Sequence, residues 1–191
     1  SKVTSLRIRN GKITGVIVNG NEEIDTDVVI LAIGHSARDT FESLLKQGVG
    51  FVQKPFSIGV RIEHPQELIN RAQYGEMAEH PRLRTADYQL FYKTGTRTVY
   101  SFCMCPGGLV VAAASEPCTI VTNGMSEFAR DKENANSALV VSVGPEDFGG
   151  AHPLAGIEFQ RRWERLAFDI AGMNNSAPVQ RLEDFLRGIP S

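Results

Sequence analysis

Asp27-Val-Val-Ile-Leu-Ala-Ile-Gly34-His35-Ser36-Ala37 is the stretch that decides the fold. Val28 to Ile33 is an unbroken apolar run that ends in a glycine and then in small and polar residues. A strand apolar on both faces belongs inside a sheet covered on both sides, as in α/β proteins. Small residues at its end, Ala32 and Gly34, let the backbone come close to a ligand. A tight strand-to-loop turn accounts for the same residues equally well. His35 follows at a position where loops carry function, and its imidazole could donate to a ligand or exchange a proton. The alternative for His35 is a solvent-facing turn residue.

Upstream, the residues read as a β-meander. Val3, Leu6 and Ile8 are apolar among polar residues, as in a half-buried strand, and Asn10-Gly11 follows, a pair that tolerates positive φ at both positions of a tight hairpin turn. Ile13 to Val18 is rich in β-branched residues, and Asn19-Gly20-Asn21 supplies a second turn. Downstream, Asp39 can cap a short helix carrying Phe41, Leu44 and Leu45, with Gly48 as its stop. Strands are expected at Gly50 to Gln53 and Phe56 to Ile62, then a helix opened by Pro65. Tyr88 to Tyr92, Thr98 to Cys105 and Leu109 to Ala114 read as strands, with turns at Gly95, Gly107-Gly108 and Asn123-Gly124. Phe128 to Asn136 fits a short helix or a loop, and Leu139 to Val143 fits a strand. Phe159, Trp163, Leu166 and Ile170 share one helix face, which points to core packing for Trp163. A last helix from about Ser176 is expected to bury Val179, Leu182, Phe185 and Leu186.

Composition narrows the function classes. The 191 residues are 42% hydrophobic and 22% charged, with a net charge of −2, which excludes disorder as the main state. A chain of this size is expected to bury roughly 70% of the surface its unfolded form exposes. The basic residues are scattered, so no nucleic-acid footprint appears. No apolar run approaches the ~20 residues of a membrane span, and no secretory signal opens the chain. Three cysteines, an odd count, fit a reducing compartment and a cytoplasmic location. The chain reads as the interior of a longer protein, because Ser1 to Arg9 is already strand-like with no initiator Met.

Several blocks together resemble a known family. They are His35-Ser-Ala-Arg-Asp-Thr-Phe41, Lys54-Pro-Phe-Ser-Ile-Gly-Val-Arg-Ile-Glu-His-Pro65, Phe102-Cys-Met-Cys-Pro-Gly-Gly108, Thr122-Asn-Gly-Met-Ser126, Ala135-Asn-Ser-Ala-Leu-Val-Val141, and Pro153-Leu-Ala-Gly156 with Phe159-Gln160. In this order they resemble a bacterial family of FAD-dependent dehydrogenases, NAD(P)/FAD-dependent oxidoreductases with a glutathione-reductase-type FAD fold. The resemblance implies an α+β chain, derived from an α/β fold. Residues 1–47 would be the meander and flavin-side turn of an FAD-binding domain. Residues 48–191 would be an inserted mixed-sheet domain with C-terminal helices, covering the substrate. Ala32, Ile33, Gly34, His35, Ser36 and Ala37 would run beside FAD. A small molecule would be the substrate, and NAD(P)H a candidate electron donor. The chain departs from the family pattern in having no G-x-G-x-x-G after a strand and no final flavin-binding segment. FAD is therefore expected not to be retained by the isolated chain, which would be inactive alone.

Cys103 and Cys105 stand two apart, so a regular strand would put both thiols on one face. They could form a redox pair, contact a substrate near the flavin, or be ordinary packed thiols. A zinc site lacks further ligands at suitable spacing, so no metal site is expected. Catalytic candidates are His35, Cys103 and Cys105. Arg61 and Glu63 alternate on one strand face, either as an anion-binding pair or as a solvated surface. Two rival functions stay open: a non-catalytic binding or interaction module, and a thiol redox protein using Cys103 and Cys105.

Overall fold

Two Asn-Gly turns organise the N-terminal sheet. Strands β1 (Val3–Arg9), β2 (Lys12–Val18) and β3 (Glu22–Asp25) form an antiparallel meander in that order, in a computed structural model that describes Ser1–Ser191. Asn10 and Gly11 both take positive φ, 49° and 72°, which the two-residue loop between paired Arg9 and Lys12 requires. Arg7 reaches across the meander to the carboxylates of Glu23 and Asp25.

The apolar run after the meander does not become a strand. Residues 28–37 lie outside any sheet, and Val28 and Ile30 are 73% and 87% exposed. A strand apolar on both faces needs a hydrogen-bonded neighbour and cover above and below. The meander stops at Asp25, and the other sheets are assembled without this segment, so nothing in the chain supplies either. Helix α1 (Arg38–Lys46) begins just beyond it. Ala37, not Asp39, is its N-cap; Asp39 lies in the first turn, where a carboxylate favours the helix dipole. The Gln47 side chain accepts a hydrogen bond from the Leu6 amide at 2.7 Å and ties α1 to the meander.

The second sheet is a four-stranded antiparallel sheet. Its strands are β4 (Phe56–Pro65), β5 (Phe91–Thr94), β6 (Arg97–Cys105) and β9 (Asn134–Val143), in the spatial order β4-β9-β6-β5. Between them come α2 (Gln66–Tyr74) and the antiparallel pair β7 (Gly108–Ala112) and β8 (Thr122–Ser126). Gly50 to Gln53 forms no strand. The Phe128–Asn136 region is a turn that leads into β9, not a helix. Asn123-Gly124 is not a turn but the middle of β8. Gly124 serves close approach there, because a Cβ on it would run into Asn136, Arg61 and Cys105.

Helix α3 (Ala155–Ile170) packs on the sheet through aromatic rings. Phe56 stacks on Phe148 with centroids 5.0 Å apart, and Phe159 joins both. Val143 and Ala155 complete this small core, and Gly156 lets α3 sit against Phe56 and Phe148. Helix α4 (Leu182–Arg187) starts six residues later than the helix expected from about Ser176. Val179, Leu182, Phe185 and Leu186 are all exposed, because no other element packs on that face. Gly188 stops it in the left-handed conformation at φ 67°.

The resulting molecule is α+β: a meander, two further antiparallel sheets, and helices at the C-terminal end. Its accessible surface is 13,569 Å². A compact monomer of this mass would show roughly 9,000 Å², so the expected ~70% burial is not reached. Much of the excess is apolar, at residues such as Val28, Ile30, Phe128 and Val179. No helix is long and apolar enough to cross a membrane.

Candidate functional site

The face of β4 that carries Ser57, Gly59, Arg61 and Glu63 opens onto a cavity of about 610 Å³. In the β4–β9 register Gly59 pairs with Val140 and Arg61 with Ala138, so these residues share a face and form the floor. Gly59 and Ala138 contribute little side-chain bulk there. The walls come from the β7–β8 pair at Val110 and Thr122, and from α3 at Gln160, Trp163 and Glu164. His35 and Ser36 stand at one side, and Ala177 to Val179 at another. Just over half of the lining residues, 13 of 25, are hydrophobic, a composition that suits a ligand with an apolar body.

The floor carries a polar cluster. Arg61 Nη1 donates to Asn136 Oδ1 at 2.7 Å and to the Cys103 carbonyl at 3.5 Å. Asn136 is fully buried. Cys105 pairs with Asn136 across β6 and β9, and the backbone of Gly124 crosses above all three. Burial pushes the Cys105 thiol above its ordinary pKa, and the neighbouring Cys103 adds to the rise.

A second cluster fixes the start of α1 beside this cavity. Arg38, only 5% exposed, donates to Glu164 at 2.7 and 2.9 Å, to Glu116 at 2.6 Å and to Gln160 at 2.9 Å. Arg161 binds the same Glu116 at 2.6 Å and also reaches Glu42 at 2.8 Å. Its hydrogen bonds hold the Glu116 carboxyl at a pKa of about 2, with Arg38 as the second cationic partner. Arg38 and Arg161 are pushed further toward the charged state, chiefly by Glu164 and Glu116 respectively. Helices α1 and α3 and the β7–β8 connection are thus joined by one ion-pair network.

His35 and Ser36 reach the cavity, with Ser36 Oγ 3.2 Å from His35 Nε2. Ala32, Ile33 and Gly34 are exposed and do not line it, and Ala37 begins α1. The two thiols are not equivalent strand neighbours. The register slips between Phe102 and Cys105, and Cys103 takes φ 49°, so the period of two is broken. Cys103 is exposed and Cys105 is buried beside Arg61, and neither lines the cavity. Trp163 is not core: it is 43% exposed and forms part of the cavity wall. Sequence inspection missed Arg38, Glu116, Asn136 and Glu164. A buried arginine one residue past a small-residue turn was the available signal, but its acidic partners lie 78 and 126 residues away. No group of three or more His, Cys, Asp or Glu residues is placed to hold a metal ion.

Comparison with known proteins supplies the family of this α+β chain and its cavity. Residues 55–191 match the model of the FAD-dependent protein, C-terminal domain-like family, and the chain belongs to that family. An uncharacterized protein of Clostridium beijerinckii (strain ATCC 51743 / NCIMB 8052) is 56% identical over 189 residues, 98% of this chain and 35% of the relative. The chain spans about a third of the length of that relative.

Proposed function

We propose that this chain is the flavin-side turn and substrate-covering part of an FAD-dependent oxidoreductase of the dehydrogenase type. The observation that carries this is the Arg38 network, which fixes the start of α1 next to His35 and Ser36 at the 610 Å³ cavity in a chain of an FAD-dependent protein family. Residues 1–47 belong on the flavin side and residues 48–191 over the substrate. The excess apolar surface at Val28 to Ile33 fits a strand completed by the rest of a larger protein.

The residues present fit one side of a flavin and not the whole cofactor. Ala32, Gly34, Ser36 and Ala37 are small, and Gly34 takes φ 72°, so a flat ring could approach their backbone. No glycine-rich strand-to-helix turn is present to hold the pyrophosphate. FAD, when bound, would supply the redox chemistry, with NAD(P)H as a candidate donor. The chain's own residues would orient a small-molecule substrate in the cavity and keep water from it. His35 stands where it could hold or move a proton. A thiol redox role for Cys103 and Cys105 has less support, because the buried thiol is held protonated by its surroundings.

The test is an FAD titration of this chain beside the full-length C. beijerinckii relative, followed by flavin absorbance and fluorescence. The relative should purify yellow or bind added FAD, and this chain should bind weakly. A full-length relative that is colourless and indifferent to FAD would overturn the proposal.

A further inference from the structure

We infer that Arg61 is the anion-recognition residue of the cavity, and that its ligand is a carboxylate carried on an apolar body. The inference rests on the cavity being the substrate site proposed above. Half-buried or buried arginines elsewhere in the chain are neutralised: Arg7 by Glu23 and Asp25, Arg38 by Glu116 and Glu164, Arg161 by Glu42, Glu116 and Glu158. Arg61 is half-buried on the cavity floor and meets no carboxylate. Its only hydrogen bonds go to two neutral acceptors, Asn136 Oδ1 and the Cys103 carbonyl. Its Nε is buried with no partner, and its Nη2 donates to nothing in the chain.

A cation removed from bulk water without a counter-ion is costly, and an anionic ligand relieves that cost. Asn136 is fully buried and grips Nη1, so the guanidinium is held in place before a ligand arrives. A pre-positioned planar fork is the group that matches a carboxylate. Val110, Ala138, Val140 and Trp163 line the same cavity and suit an apolar body.

Two acidic residues also face the cavity, and neither competes for Arg61. Glu164 is occupied by Arg38 through both carboxylate oxygens. Glu63 is exposed at the rim, where it accepts from Asn134 and water screens its charge.

Trp163 is the only tryptophan and lines the cavity, so its fluorescence reports occupancy without any flavin. The chain is titrated with hexanoate and with the neutral isostere hexanamide, at low and high salt. Hexanoate should bind at least tenfold more tightly than hexanamide, with the preference shrinking as salt rises. Arg61→Gln should abolish the preference by weakening hexanoate binding far more than hexanamide binding, while Arg61→Lys should keep part of it. Circular dichroism checks that each variant is folded; if Arg61→Gln is not, the wild-type and Arg61→Lys titrations decide. The inference is overturned if the wild-type chain shows no preference for the carboxylate, silence toward both probes included. It is also overturned if folded Arg61→Gln keeps the full preference. Because no flavin enters the assay, its outcome is separable from that of the FAD titration.

Discussion

Replacing Arg38 by methionine should loosen the attachment of α1 and the 28–37 segment to the cavity wall. The side chain makes four hydrogen bonds, all of 2.9 Å or less, to three residues, and it is nearly inaccessible to water. Glu116 keeps Arg161 as a counter-ion after the substitution, but Glu164 loses its only cationic partner while remaining largely buried. Breaking one side of a buried pair costs roughly 3–5 kcal/mol, and the surviving Glu116 contact places this case at the low end, about 3 kcal/mol. For a domain of this size that is a fall in Tm of roughly 6–12 °C. Urea unfolding followed by Trp163 fluorescence and far-UV circular dichroism measures the loss. Limited proteolysis measures the loosening, with faster cleavage expected between Asp27 and Ala37. Adding Glu164→Gln to Arg38→Met should recover at least ~1 kcal/mol, because the second change removes the stranded charge. A single variant within about 0.5 kcal/mol of wild type, or a double variant no better than the single, would refute the network's role as the tether.

Other consequences follow from the same geometry. The Glu116 carboxyl titrates at about 2 in the folded chain against a reference of 4.5, so its stabilising contribution is complete above pH 4.5 and is lost as pH falls toward 2. Glu116→Gln should therefore flatten the dependence of the urea midpoint on pH within that window, and an unchanged slope would contradict the assignment. Gly124→Ala forces a methyl group into Asn136, Arg61 and Cys105 and should cost roughly 1–3 kcal/mol, whereas Gly20→Ala meets nothing and should show only the backbone penalty of its positive φ. Iodoacetamide followed by mass spectrometry should label exposed Cys103 well before buried Cys105, whose thiol is held protonated. Equal labelling rates would revive the paired-thiol mechanism.

Local chemistry determined much of this protein. The Asn-Gly pairs dictate the meander because both their residues tolerate positive φ, and the 3.6-residue period of Phe159, Trp163, Leu166 and Ile170 dictates α3. The ordered blocks from His35 to Gln160 carried the family resemblance. Partners distant in sequence decided the rest. Val28 to Ile33 reads as a buried strand, yet a strand exists only where a neighbour takes its hydrogen bonds, and this chain provides none. Trp163 faces a cavity because β4 and β9 place Gly59 and Ala138 on the floor below it, and small side chains leave space. Cys103 and Cys105 part company at a bulge that spacing cannot reveal. Arg38 and Arg61 look alike in the sequence, one cation each near an apolar strand. Tertiary structure surrounds the first with carboxylates drawn from 78 and 126 residues away and leaves the second without any, because electrostatic neutralisation depends on distance in space.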